Sequence, residues 1–277
     1  MEIKAHRIRL FQGALSYLLT VMVGILIIPS LSWGEKESTL DRIKRTGVLK
    51  VCADPDSLPY STEDPNTPGF DVEIAGMVAE QLGLRLQVVW NETYFTGRAI
   101  RRQLFREKKC DCFTGLPIGQ YDEDLDFSRP YYGSGYILVV QSHVTNLKSL
   151  TDLQGKKIGV EVWTPADHEL FLRGYPRGLY RNQREVIEAL QKGEVEAGLL
   201  WAPTFGWLKK ENPALKVKMV EGYVPEPGFQ RNVAIGLRKG DHDLKEAMDK
   251  AIETLLKNHM IEKIMVRYGV VFYAPFR

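Results

Sequence analysis

Three cysteines and five histidines are few for 277 residues, and they are not arranged to hold a metal. His143, His168, His242 and His259 stand far apart, with no HxxxH and no CxxC, so no metal centre is expected. The chain also lacks GxSxG, a phosphate loop and GxGxxG, which removes the usual serine hydrolase, nucleoside triphosphate and dinucleotide chemistries. No cofactor and no catalytic residue is therefore expected, and the chain reads as a non-enzyme. Single carboxylates such as Asp54, Asp71 or Glu161 could act as acids or bases, but nearly any soluble domain offers as many. Repeats of solenoid period and low-complexity segments are absent too. What remains is ordinary globular composition, 44% hydrophobic and 26% charged, enough for one large or two small cores.

The N-terminus has a layout of its own. Lys4, Arg7 and Arg9 precede an uncharged apolar run from Ala14 to Ile28, then Pro29 and "SLSWG", with Ser32 and Gly34 as small residues before a cut after Gly34. Residues 1–34 read as a secretory signal, which places the protein in the periplasm. The alternative is a retained anchor, since the apolar run nearly reaches spanning length, and a membrane is expected as a partner only in that case. Removing residues 1–34 leaves 34 basic and 34 acidic side chains. A formally neutral chain has no excess of Lys and Arg with which to displace counterions, which argues against nucleic acid as a partner.

Strand and helix then alternate. "VLKVCA" is a β-rich run ending in the loop "DPDSLPY", and "GFDVEIAGMVAEQLGL" sets Phe70, Ile74, Met77, Val78 and Leu82 at helical spacing before Gly83. "RLQVVW" is a strand, a helix is expected around Gly97 to Glu107, and "CDCFTG" begins another strand. The pattern restarts after "SLTDLQGK". "KIGVEV", Pro165 to Arg173, Arg184 to Lys192, "EAGLLW" and Pro203 to Lys210 alternate again, "KVKMV" and "RNVAIGL" add strands, and Asp241 to Tyr268 reads as helix. The expectation is an α/β protein with two parallel sheets and a cleft between two lobes.

In open α/β sheets ligands bind beyond the carboxyl ends of the strands, here the loops "DPDSLPY", "GLPIGQYD", "WTPADHEL" and "WAPTFGW". Aromatics dominate them. Asp54, Tyr60, Leu116, Tyr121, Tyr131, Trp163, Thr164 and Trp201 are the expected ligand- or partner-binding residues, flat apolar walls with polar tips. Thr164 before Pro165, with Asp167 in the first turn, reads as a helix start. The acidic run Asp122, Glu123, Asp124, Asp126 resembles a calcium loop only in part, because Phe127 stands where Gly is needed and Gly133 where Glu is needed. It reads as a solvated loop.

An exported domain permits disulfides, and the odd count leaves one thiol over. If Cys110 and Cys112 shared a strand, their Cα atoms would be roughly 6.5 to 7 Å apart, at or beyond the disulfide limit. Each would then look across to Cys52.

Taken together, "LKVCADPDSLPYS", "PGFDVEIAGMVAEQLGL", "DFSRPYY", "SLTDLQGKKIGVEVWTPAD", "EALQKGEVEAGLLWAP" and "AIGLRKGD" resemble, in order, the periplasmic solute-binding proteins of family 3. The resemblance implies a type II binding-protein fold, two lobes of mostly parallel sheet flanked by helices and joined by two hinge strands. Lobe 1 would combine 40–138 with 236–277, and lobe 2 would fill 139–235. Amino-acid binders of this family usually place an Arg shortly before "FS-PYY" and an Asp after the lobe 2 strand. Gln120, Tyr121, Asp122 and Trp201 stand there instead, so the usual clamps for an α-amino acid are missing.

"VCADP", "GLPIGQYD", "LLWAPTFGW" and the terminal "RYGV" further resemble the subfamily associated with quinoprotein (methanol) dehydrogenases. That resemblance implies an accessory protein that binds a dehydrogenase, its cytochrome c or a small ligand in the cleft, and a disulfide between Cys52 and Cys110, with Cys112 an addition. The alternative is an importer receptor that serves an ABC permease and takes a small solute other than an ordinary α-amino acid. A third possibility is a dehydratase-type enzyme on the same fold.

Overall fold

The computed structural model describes residues 37–92, 100, 102–119 and 125–277. The expected leader and Tyr121 lie outside these residues. Helix α1 (Thr39–Thr46) begins where the Ser38 hydroxyl accepts from the Asp41 N–H at 3.1 Å, and it ends at Gly47. Strand β1 (Val48–Ala53) leads into the short pair β2 (Asp56–Ser57) and β3 (Ser61–Thr62), with Tyr60 in their connection. Helix α2 (Phe70–Gln81) buries Phe70, Ile74 and Val78, the face that their spacing predicts, and β4 (Arg85–Trp90) returns parallel to β1. The helix expected around Gly97 to Glu107 contains, in its described part, a π-helical turn at Arg102–Arg106.

Next come β5 (Cys112–Pro117), β6 (Leu125–Phe127) and the ten-residue β7 (Tyr132–Gln141). The second run consists of β8 (Ile158–Glu161), α3 (Pro165–Leu172), β9 (Arg177–Tyr180), α4 (Gln183–Lys192), β10 (Ala197–Trp201), α5 (Ala202–Glu211) and β11 (Val217–Met219). Strand β12 (Gln230–Arg238) then leads into α6 (His242–Lys257) and α7 (Met260–Arg267). The single helix expected over Asp241 to Tyr268 is thus two. His259 takes a left-handed conformation at φ 55°, and the turn lets Leu244, Met248, Ile252 and Leu255 of α6 and Ile261, Ile264 and Met265 of α7 all reach the same core. None of the described helices is long and apolar enough to cross a membrane.

The two expected sheets are joined into one through shared strands. Strands run in one continuous order, β4-β1-β5-β12-β7-β10-β8-β9, parallel at both ends and antiparallel in the middle. The cause is the length of β7, about 33 Å at the usual rise per residue. Its residues 132–135 pair with β12, and residues 136–141 pair with β10, β11 or both. Buried apolar residues from Ile43 to Tyr132 and from Val233 to Val270 make one core, and those from Tyr136 to Phe229 make a second. The junction between the cores therefore falls within β7 and β12.

Helix α5 bridges the junction. A Cβ on Gly206 would stand 2.3 Å from the Gly269 carbonyl oxygen, so only glycine permits this approach of α5 to the segment after α7. Trp207 lies 6.0 Å from the Tyr268 ring, and the Lys210 ammonium caps the Arg267 carbonyl.

Cys52 and Cys110 form a disulfide with Cα atoms 5.6 Å apart. Cys110 precedes β5 and does not share a strand with Cys112. In the parallel register Cys112 faces Val51 while Cys52 faces Phe113, which puts the Cys112 and Cys52 side chains on opposite faces of the sheet. Cys112 is buried and free. Removing the disulfide with Cys52→Ser/Cys110→Ser should lower stability in urea by about 2–4 kcal/mol, given the long loop it closes. Thiol titration of the wild type should find one reactive group in denaturant and none in native buffer, and three in denaturant would mean that the bond does not form.

Candidate functional site

Alternation along "YYGSGYIL" decides which side chains reach the junction. Gly133 and Gly135 point to one side of β7. A Cβ on Gly133 would lie 2.8 Å from the Ala274 carbonyl oxygen, and one on Gly135 2.6 Å from the Pro225 Cβ, so this side is filled by the chain's own tail and by the segment before β12. Tyr132, Ser134 and Tyr136 point to the other side. Tyr132 and Ser134 are buried beneath the junction, with Tyr132 packed edge-on against Phe70 of the first core, and Tyr136 lies edge-on against Trp201 of the second at 5.2 Å.

Tyr60 stands over the junction from the first half. Its ring lies against Phe70 at 5.4 Å, and its hydroxyl meets Thr204 Oγ1 of α5 at 3.4 Å. The two halves thus touch through a tyrosine and a threonine hydroxyl. Trp201 sits at the carboxyl end of β10, half-buried, with its backbone N–H donating to Gln183 Oε1 at 3.1 Å. Thr164 caps α3 by accepting from the Asp167 N–H at 3.2 Å and donates to the Glu161 carbonyl at 2.7 Å. Burial, partly offset by the Thr164 side chain, pushes the Tyr136 hydroxyl up to about 12. Glu161 ends β8 half-buried, and burial raises its pKa against the hydrogen bond from Gln183.

The expected site residues separate into groups. Tyr60, Thr164 and Trp201 converge on the junction. Asp54 lies at its first-half edge in the loop after β1, where its carboxylate accepts from the Asp56 N–H at 3.0 Å. Trp163 is 92% exposed and left-handed at φ 64°, held there by its N–H donating to Asp167 Oδ2 at 3.1 Å, with Asp167 paired to Arg177. Leu116 and Tyr131 are buried completely and present no surface to a ligand. Leu116 fills the small core beside the disulfide. The Tyr131 hydroxyl donates to Asp71 Oδ1 at 2.5 Å and accepts from the Gly115 N–H at 3.0 Å, which makes it an internal brace. Ser134, Tyr136 and Thr204 were not singled out from sequence. The small-large alternation of "YGSGY" was the available signal for the first two.

Asp71 is 1% exposed, and burial pushes its carboxyl up to about 7 against the bond from Tyr131. Among the described residues no cluster of His, Cys, Asp and Glu could hold a metal ion.

The model of the bacterial extracellular solute-binding proteins, family 3, matches residues 49–271. The chain belongs to that family. Its fold is the two-lobe, type II periplasmic binding-protein fold. This family 3 protein is 26% identical to the L-cystine-binding protein of Escherichia coli over 84% of this chain and 86% of that one. It is 27% identical to the L-arginine-binding protein of Pseudomonas aeruginosa, over 76% and 83% of the two chains. Among solved structures, an ancestral cationic amino-acid solute-binding protein superposes with a TM-score of 0.67 at 25% identity, covering 84% of this chain and all of that one. The narrower likeness to dehydrogenase-associated proteins is not shown by these comparisons.

Two expectations follow for the family 3 protein. Between about pH 4 and 7 the unfolded chain loses the Asp71 proton while the folded chain keeps it, so this group's contribution falls as pH rises through that window and is level above it. Urea midpoints of Asp71→Asn should lack this slope, which amounts to about 4 kcal/mol across the window in the wild type; parallel profiles would show that Asp71 is ionised when folded. Trp201→Ala should weaken retention of a bound solute or partner at least about tenfold while costing only about 1–2 kcal/mol of stability. Losses of equal size in both would identify Trp201 as core packing.

Proposed function

We propose that this protein is the exported solute receptor of an ABC importer, holding a small solute between its lobes and passing it to a permease without chemical change. The observation that carries the reading is the junction floor of β7 and β12, walled by Tyr60 on one side and by Tyr136, Trp201 and Thr164 on the other. Aromatic faces around a few fixed polar tips suit capture of a small molecule, and strands shared by both halves suit hinge closure around it. The amino-acid and cystine binders among its relatives favour import over an accessory role beside a quinoprotein dehydrogenase.

Several residues support a solute held otherwise than in a conventional amino-acid clamp. Trp201 occupies the place of the expected lobe 2 carboxylate, and Gln120, Tyr121 and Asp122 occupy the place of the lobe 1 guanidinium. A dehydratase-type enzyme is less well supported. Asp71, the buried carboxyl raised to about 7, is closed off by Tyr131 and cannot reach a substrate.

Purification of the mature protein from periplasmic extract under native conditions, followed by mass spectrometry of bound proteins and small molecules, tests the proposal. One dominant small molecule is expected, and adding it back to stripped protein should raise the unfolding temperature with its concentration. Recovery of a dehydrogenase or a cytochrome with no small molecule would replace import with the accessory role.

A further inference from the structure

Helix α5 presents two faces to two different cores. Ala202, Phe205 and Leu208, three residues apart, are buried in the second core. Thr204, Trp207 and Lys210, also three apart but on the opposite side of the helix, meet the first half. Trp207 packs against the first core although its helix belongs to the second half. Its ring lies 6.0 Å from that of Tyr268, and Thr204 Oγ1 lies 3.4 Å from the Tyr60 hydroxyl. The Lys210 ammonium hydrogen-bonds to the Arg267 carbonyl and stands 5.5 Å from the centre of the Tyr268 ring, within cation–π reach. Between these contacts Gly206 and Gly269 meet backbone to backbone. A Cβ on the first would stand 2.3 Å from the carbonyl oxygen of the second, and the reverse distance is 2.8 Å.

The surface that receives α5 is itself braced. The Tyr268 hydroxyl donates to Glu73 Oε1 of α2 at 2.6 Å and accepts from the Gly69 N–H at 3.1 Å, and Arg267 pairs with the same Glu73. Pulling α5 away would therefore break its contacts and not drag Tyr268 along.

The C-terminal tail crosses in the other direction. Val270 is buried in the first core, and Tyr273, three residues on, packs against the second, its hydroxyl 4.0 Å from Met219 Sδ. The Gly133 N–H of β7 donates to the Tyr273 carbonyl at 2.8 Å. Asn232 of β12 holds Phe276 twice, accepting from its N–H at 2.8 Å and donating to its carbonyl at 3.0 Å. The tail thus grips the shared strands on their glycine face. On the tyrosine face, ring contacts run from Tyr132 through Phe70 and Tyr268 to Trp207 of α5. Bending β7 and β12 to part the halves has to disturb both grips, and every contact in them is made by the chain itself.

We propose that α5 and the C-terminal tail form a two-sided clasp that keeps the halves together in the solute-free protein. A solute then enters a form already closed, when the clasp briefly releases, and does not draw an open form shut. The inference goes beyond the receptor reading and is tested separately from it, because the clasp is measured with no solute present.

The test attaches spin labels through Glu63→Cys in the first half and Arg181→Cys in the second, both exposed positions, and measures their separation by pulsed electron resonance in stripped protein. Cys112 is buried and stays unlabelled. The otherwise wild-type protein should give one short distance. Lys210→Met removes the ammonium and keeps the stem, and Asn232→Ala frees Phe276. Each should raise the population at a longer distance about tenfold, and the two together should raise it further. Leu190→Ala lowers stability in the second core without touching either grip, and it should leave the single distance unchanged. A stripped wild type that already rests mainly at the longer distance would overturn the clasp. So would Lys210→Met and Asn232→Ala proteins that keep the wild-type distance, or a Leu190→Ala protein that lengthens it as much as they do.

Discussion

The pairing of β7 with β12 is the constraint on which the rest depends. Each strand belongs to both halves, so their side chains must serve two cores and the space between. Alternation along β7 meets this demand with residues of opposite kinds. Glycines on one face admit the chain's own C-terminal tail and the segment before β12 at distances no Cβ would permit, while tyrosines and a serine point to the other face. A larger residue at 133 would push the tail away, and one at 135 would push away the segment before β12.

Around this pair, polar groups are buried where they fix geometry. Asp111 is 3% exposed, pairs with Arg42 and accepts from the Lys50 N–H at 2.9 Å, tying α1 and β1 to the segment that carries Cys110. Tyr131 and Asp71 tie β5 and α2 together beneath Tyr60. Such satisfied networks hold the first half rigid, and the disulfide closes its edge. The two halves meet through α5, Tyr60 and the strands they share.

Local order was largely readable in advance. The helix of Phe70, Ile74 and Val78 followed from spacing, α3 from Thr164 and Pro165, and the alternating βα order from hydrophobic pattern alone. Where reading by pattern went astray, longer-range packing was the cause. Tyr131 looks like its neighbour Tyr132 in sequence, yet its hydroxyl is drawn inward by a carboxyl sixty residues away. Leu116 follows a loop-like glycine but packs beneath Gly236 of a strand more than a hundred residues on. The break at His259 was hidden because the apolar stripe continues across it.

By itself the sequence determined the α/β class, the family and the absence of the usual catalytic and metal motifs, since each depends on residue types at short spacing. Only the tertiary structure decided that β7 and β12 run antiparallel through both halves, which cysteine remains free, and which aromatics face the junction. Those outcomes depend on register and on which face of a strand is covered, and a one-residue difference in either moves a side chain from the core to the cleft.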